Sequence, residues 1–219
     1  MVDLHECVNE LEKWHVGKAV ILKGAGKTFC SGGELNSVNK ILENGNDMCE
    51  LMQNTTSRIF DLPMVSVAAV SGHALGGGAE LTTCCDFRLV TENAKIGFVQ
   101  ARMNVATGWG GCTRLVKLVG RTHALHLLTS GKVLNCSEAT HIGLVNGVIS
   151  SDNVEAAAKE WVSQNCVGTA EVTRVIKKMV LSGMYLEESQ AYDMERSVFC
   201  RVWGMPSHQD ALKANIKHK

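Results

Sequence analysis

Residues 73–89 read HALGGGAELTTCCDFRL, three consecutive glycines followed at once by Ala79 and Glu80. The stretch before them, PMVSVAAVSG at 63–72, is short, valine-rich and bounded by proline and glycine, which predicts a core strand over 64–70. The stretch after them predicts a short helix over about 78–85. A strand, a glycine turn and a helix start therefore meet at Gly76, Gly77 and Gly78. The first N–H groups of the helix have no partner within it, and its dipole is positive at that end, so the turn attracts negative charge. Glycine adds access, because no Cβ stands between the backbone and a ligand. The arrangement recurs once: KAVILKGAG at 18–26 reads as a buried strand, and TFCSGGEL at 28–35 follows it with a second paired-glycine turn. Two such turns can aim two N–H donors at one oxygen, with Glu80 beside them.

Composition bounds what the rest can be. A chain of 219 residues with 45% hydrophobic residues supports a sizeable buried core. Lys plus Arg equals Asp plus Glu at 22 each, so no net field steers the chain toward nucleic acid or an anionic membrane. Nine cysteines include no C-x-x-C pair, and adjacent Cys84 and Cys85 suit small buried hydrophobes. These favour a reducing compartment. No apolar run reaches membrane-spanning length, and the opening MVDLHECVNELEKW carries acids where a signal peptide would be basic and apolar, so the expected address is the cytosol. Eight histidines show no H-x-x-x-H or Cys/His grouping at metal-ligand spacing, and no metal site is expected.

Leu4, Val8, Leu11 and Trp14 fall on one face of an opening helix, and residues 47–61 predict another ending before Pro63. FRLVTENAKIGF reads as two short strands about a turn, and VNGVIS as one more. GGCTRLVKLVG, THALHLLTSG, NVEAAAKEWVSQ, AEVTRVIKKMVLSG and LEESQAYDMERSVF are helix-like. Strands dominate the middle and helices the end. Asp86 and Arg88 read as structural ion-pair partners, Cys30 as a small packed thiol, and His73 as a strand-end side chain. The closing KANIKHK reads as a solvated end.

Taken in order and at their spacing, FCSGGEL, ALGGGAEL, CDFRL, AKIGF and GWGGCTRL resemble the crotonase, or enoyl-CoA hydratase/isomerase, superfamily across nearly the whole chain. ALGGGAELTTCCDFRL, with VWGMP near the end, is most similar to the branch that decarboxylates ethylmalonyl-CoA. The resemblance implies an α/β fold: a crotonase (ClpP-like) spiral of strand-strand-helix repeats forming two roughly perpendicular sheets, then a C-terminal helical region. The expected division is a spiral core over 1–150 and a helical trimerisation region over 151–219. Family members begin with extra strands ahead of the first helix, so the N-terminal strands are expected to be missing here and to leave an exposed sheet edge.

The resemblance also assigns residues. The backbone N–H groups of Gly33 and Gly77 would form an oxyanion hole for the thioester carbonyl of an acyl-CoA. Glu80 falls on an acid/base position of the hydratases, and equally suits the first turn of a helix as a dipole partner. The second family glutamate is replaced by Gln100, and a neutral amide is no general base. Asn104 and Thr107 stand where glycine and proline are usual, which leaves the shape of that loop open. Trp109 fits the decarboxylase branch as a lining of the acyl pocket or as a packing aromatic. Ser31, Gly32, Leu35, Gln100 and Trp109 are the candidate substrate contacts.

The activity implied is a carboxy-lyase in fatty acid metabolism acting on ethylmalonyl-CoA or methylmalonyl-CoA, with no cofactor beyond the CoA of the substrate. The expected partners are an acyl-CoA thioester and further copies of the chain in a trimer or hexamer, with no nucleic acid and no membrane. Alternatives are an enoyl-CoA hydratase or isomerase with a weakened acid/base set, and a catalytically silent binding protein that keeps the fold.

Overall fold

The structure, a computed structural model, describes residues 1–34 and 42–214. Its centre is β2 (Val65–Val70), whose six residues are all buried. β1 (Ala19–Lys23), β2, β4 (Phe87–Thr91) and β7 (Gly147–Ile149) form one sheet in the order β1-β2-β4-β7, and every pair in it is parallel. A parallel sheet covered on both faces needs small and β-branched residues throughout, which is why β2 reads VSVAAV without polar alternation.

Successive residues point to opposite faces. Val65, Val67 and Ala69 of β2, with Leu89 and Ile149, meet Ala158, Val162 and Cys166 of α6 (Val154–Asn165) and the residue beyond it, and Phe87 lies 5.0 Å from the Trp161 ring. Ala68, Val70 and Val90 face the other way into the main core. There they join Val8 of α1 (Val2–Lys13), Ile59 of α2 (Gly45–Asp61), Phe98 and Leu115. The helix expected from Leu4, Val8 and Leu11 is α1, although Trp14 falls just past its end.

A second sheet holds β3 (His73–Leu75), β5 (Lys95–Gly97) and β6 (Val133–Asn135), with β3 parallel and β6 antiparallel to β5. The strands read on either side of the 92–94 turn thus belong to different sheets. Following β3, α3 (Gly77–Thr83) begins immediately after the glycine turn. The two helices read over 110–131 run end to end as α4 (Gly111–Ser130), divided by a kink at Gly120, whose φ of 76° is not helical. α5 (Cys136–His141) opens on a capping box between Asn135 and Glu138, and α7 (Ala170–Tyr185), α8 (Glu188–Val202) and α9 (Pro206–Lys213) follow α6.

The expected pairing around Asp86 and Arg88 takes a different form. Arg88 is fully buried and gives its guanidinium to the carbonyls of Leu144 (2.7 Å) and Cys85 (2.8 Å) and to Asn146 Oδ1 (3.2 Å). Asp86 pairs instead with Lys177 of α7 at 2.7 Å, and also accepts from Ser66 N and Oγ. Burial of a guanidinium demands several acceptors, and Cys85 just past α3 supplies them together with Leu144 and Asn146 ahead of β7.

Candidate functional site

The two glycine turns lie side by side. Cys30 forms a parallel bridge with Ala74: its N–H donates to the His73 carbonyl at 3.0 Å, and its carbonyl accepts from Leu75 N–H at 2.9 Å. Next along the chain, Gly32 takes φ 102°, and a Cβ there would stand 3.3 Å from the Leu75 carbonyl. A Cβ on Gly78 would lie 2.1 Å from the Cys30 carbonyl. The glycines therefore serve close backbone approach, and they carry the segment containing Ser31 and Gly33 alongside the start of α3. Gly76 has φ 56° and anchors the turn by donating to the Gly97 carbonyl at 2.9 Å. Gly77 is the first helical residue, and among the described residues neither its N–H nor that of Gly33 meets an acceptor.

Glu80, one turn into α3, is 2% exposed and accepts four hydrogen bonds. Oε1 takes Gln100 Nε2 at 2.8 Å and Gly108 N at 3.3 Å; Oε2 takes Trp109 N at 2.8 Å and Gly111 N at 3.0 Å. The carboxylate thus closes the loop between β5 and α4 over the start of α3. A Cβ on Gly111 would meet Glu80 Oε2 at 2.7 Å, so that loop position has room for glycine alone. With its amide nitrogen on Glu80, Gln100 keeps a buried Oε1 that has no partner among the described residues. Its N–H and C=O ends are fixed by this contact, since the reverse orientation would set two oxygens against each other.

The half-buried Trp109 lies directly over the helix start. A Cβ on Gly77 would be 2.5 Å from both Cη2 and Cζ3 of the indole. The loop that carries it is held from other sides as well: Gln53 donates to the Gly108 carbonyl at 2.9 Å, and Thr56 and Arg114 both donate to the Trp109 carbonyl. Burial lowers the pKa of the Arg114 guanidinium, and nearby Cys84 and Glu80 oppose that shift. No local pattern in the sequence marks Gln53, Thr56 or Arg114, because each acts on a residue that folding alone brings near.

Of the expected site residues, the structure gathers Ser31, Gly32, Gly33, Gly77, Glu80, Gln100 and Trp109 around the two turns; Leu35 falls in 35–41, outside the described residues. Asn104 takes φ 55°, a left-handed conformation that asparagine tolerates, so the loop keeps a glycine-like bend without glycine. His73 is exposed at the start of β3. Among the described residues no three His, Cys, Asp or Glu side chains stand together as a metal site would require. No helix among them is long and apolar enough to cross a membrane. Two open clefts lie elsewhere, one of about 450 Å³ bordered by Lys23, Gly26, Ser71 and Asn153, the other of about 800 Å³ bordered by Glu92, Cys136 and His141.

A family model described as enoyl-CoA hydratase/isomerase matches residues 1–216. The chain belongs to the enoyl-CoA hydratase/isomerase family. This crotonase is 47% identical over 225 residues to ethylmalonyl-CoA decarboxylase of Danio rerio, covering 100% of this chain and 74% of that protein. It is 45% identical over 217 residues to ethylmalonyl-CoA decarboxylase of Homo sapiens, covering 97% of this chain and 71% of that protein. Among solved structures, enoyl-CoA hydratase from Bacillus anthracis superposes with a TM-score of 0.89 at 27% identity, covering 97% of this chain and 83% of that one. Enoyl-CoA hydratase from Thermoplasma volcanium GSS1 superposes with a TM-score of 0.86 at 29% identity, covering 99% and 86%. The crotonase fold that the resemblance implied is therefore the fold of this chain.

Proposed function

We propose that this chain, an enzyme of the crotonase superfamily, decarboxylates ethylmalonyl-CoA or methylmalonyl-CoA through an enolate held by the N–H groups of Gly33 and Gly77. The observation that carries the reading is the Glu80–Gln100 hydrogen bond: at position 100 the partner of the Glu80 carboxylate is an amide. Relatives named ethylmalonyl-CoA decarboxylase, 47% and 45% identical, support it.

Hydration of a conjugated thioester needs groups to deprotonate a water and to protonate the α-carbon, work suited to two acid/base residues. Decarboxylation needs no base. As the bond from C2 to the carboxylate breaks, its electron pair enters the thioester, carbon dioxide leaves, and charge collects on the carbonyl oxygen. One oxyanion donor is typically worth about 3–4 kcal/mol. A second carboxylate at position 100 would repel the substrate's own, by about 4 kcal/mol at 4 Å with an effective dielectric of 20. Gln100 avoids that repulsion and can offer its second amide hydrogen to the leaving carboxylate.

Glu80 enters the site differently from a free acid/base. With four donors on its two oxygens it holds Gln100 and the Trp109 loop in place. The proton returned to C2 then comes from solvent, and the unpaired Gln100 Oε1 suits a water molecule donating to it. Ser31, Gly32 and Leu35 complete the acyl-CoA contacts in this reading, with no cofactor beyond substrate CoA, and with cytosolic fatty acid metabolism as the setting.

The assembly proposed is a trimer or a hexamer built by the region from 151 onward. Ile176, Val180 and Met184 support it, an exposed apolar stripe at four-residue spacing on α7. The function is tested by giving the purified chain ethylmalonyl-CoA and crotonyl-CoA in parallel. Carbon dioxide release with little or no hydration is expected; efficient hydration without decarboxylation would favour the hydratase.

A further inference from the structure

The Trp109 peptide is gripped by three elements, and two of the grips lie outside the oxyanion turns. Its N–H is held by Glu80 of α3. Its carbonyl accepts from the hydroxyl of Thr56 on α2 at 2.9 Å and from Nη2 of Arg114 on α4. Thr56 is fully buried, and its other neighbour, the Gln53 carbonyl, is further away at 3.3 Å, so the hydroxyl proton belongs chiefly to Trp109. Arg114 is braced in turn, its Nε donating to Thr83 Oγ1 at 3.1 Å while the Thr83 hydroxyl donates to the Glu80 carbonyl at 2.6 Å. Two helices outside the glycine turns therefore fix one carbonyl oxygen.

What that carbonyl fixes is the indole. The ring lies against Gly77 with no room for even a methyl group between them. If the Gly77 N–H binds the thioester oxygen, the edge of the indole bounds the space for the substituent on C2. A displacement of the loop would widen that space without touching either oxyanion donor.

We infer that Thr56 and Arg114 are positioning residues that set acyl selectivity by holding the Trp109 carbonyl, and with it the indole wall over Gly77. The inference rests on the proposed role of Gly77. One methylene in an apolar pocket is worth about 10–200-fold in kcat/KM, so a loosened wall reduces discrimination by a measurable factor.

The test is the ratio of kcat/KM for ethylmalonyl-CoA to that for propylmalonyl-CoA. Thr56→Val keeps shape and removes the donor; we expect the ratio to fall about tenfold, within that range, whereas Thr56→Ser, which keeps the hydroxyl, retains the parent ratio. Arg114→Lys, which cannot reach Thr83 and Trp109 with one planar fork, should lower it as well. In a Trp109→Ala background, adding Thr56→Val should leave the ratio unchanged, because the wall it holds is gone. An equal loss toward both thioesters, an unchanged ratio, or the same effect of Thr56→Val with and without Trp109 overturns the inference. If Thr56→Val does not fold, Arg114→Lys takes its place: a lowered ratio supports the inference, and an unchanged ratio or an equal loss toward both thioesters overturns it. If the parent chain releases no carbon dioxide, the decarboxylation reading fails by itself. The ratio is then read by calorimetry as dissociation constants of butyryl-CoA and valeryl-CoA, where no change between parent and variant, or no binding by either, overturns the inference.

Discussion

Four donors converge on the two oxygens of Glu80, and that crowding separates two roles a buried carboxylate can have. A residue that shuttles protons needs a free lone pair; one that organises a loop needs donors on all of them. Glu80→Gln sets an NH2 group against N–H donors on one side and strands either the Gln100/Gly108 pair or the Trp109/Gly111 pair without an acceptor. The expected loss is about 1–3 kcal/mol, read as a fall in melting temperature of roughly 2–4 °C per kcal/mol, together with lower turnover. Lower turnover at an unchanged melting temperature would return Glu80 to acid/base work. Gly77 calls for a paired design. Proline is tolerated at the first position of a helix, but its ring would run into Trp109. In a Trp109→Ala background the space is open, and Gly77→Pro then removes little but the N–H. Turnover should drop by about 10²–10³ relative to Trp109→Ala alone; a drop of less than about threefold would exclude Gly77 as an oxyanion donor. At this scale the sequence exposes glycines and a carboxylate, since these types act where they stand. It conceals what they bind: Gly108, Trp109 and Gly111 lie 28 to 31 residues beyond Glu80, and no periodicity spans that distance.

Elements were legible in proportion to their length. α1, α2, α6, α7 and α8 carry apolar faces over three or more turns, and β2 carries an unbroken buried run. β3, β5, β6 and β7 have three residues each, too few for a period to register; β5 and β7 are readable from the turn residues beside them, whereas β3 and β6, which pair with β5 from either side, are not. α5 is short too and was not read, and the capping box between Asn135 and Glu138 is a feature the structure adds. The attachment of α7 to the sheet was not legible. It runs through Lys177, 91 residues from Asp86, with side-chain exposures of 5% and 20%. Lys177 also donates to the Met64 carbonyl at 3.0 Å. Lys177→Met leaves Asp86 with Ser66 but no counter-charge, and breaking one side of a buried pair costs about 3–5 kcal/mol. Urea denaturation followed by circular dichroism should find a loss of that order. A loss below about 1 kcal/mol would mark the pair as no stronger than a surface bridge.

For the whole molecule, the parallel sheet and the smaller sheet act as a frame that delivers two glycine turns to one place. Both sheets contribute: β1 leads to the first turn, and β2 followed by β3 leads to the second, with the Cys30–Ala74 bridge fixing their spacing. In the proposed reading, chemistry then depends on a polarised oxygen and a shaped wall rather than on a pair of carboxylates. The most direct test is the fate of C2. Ethylmalonyl-CoA is incubated with the chain in D2O, and the butyryl-CoA formed is analysed for deuterium content and configuration at C2. If the enolate is held between Gly33 and Gly77 as proposed, with the Trp109 indole covering one of its faces, the prediction is one deuterium per product molecule, in a single configuration, formed with one equivalent of carbon dioxide and only when the protein is present. Deuterium divided equally between the two configurations, or no butyryl-CoA above the protein-free control, would contradict it.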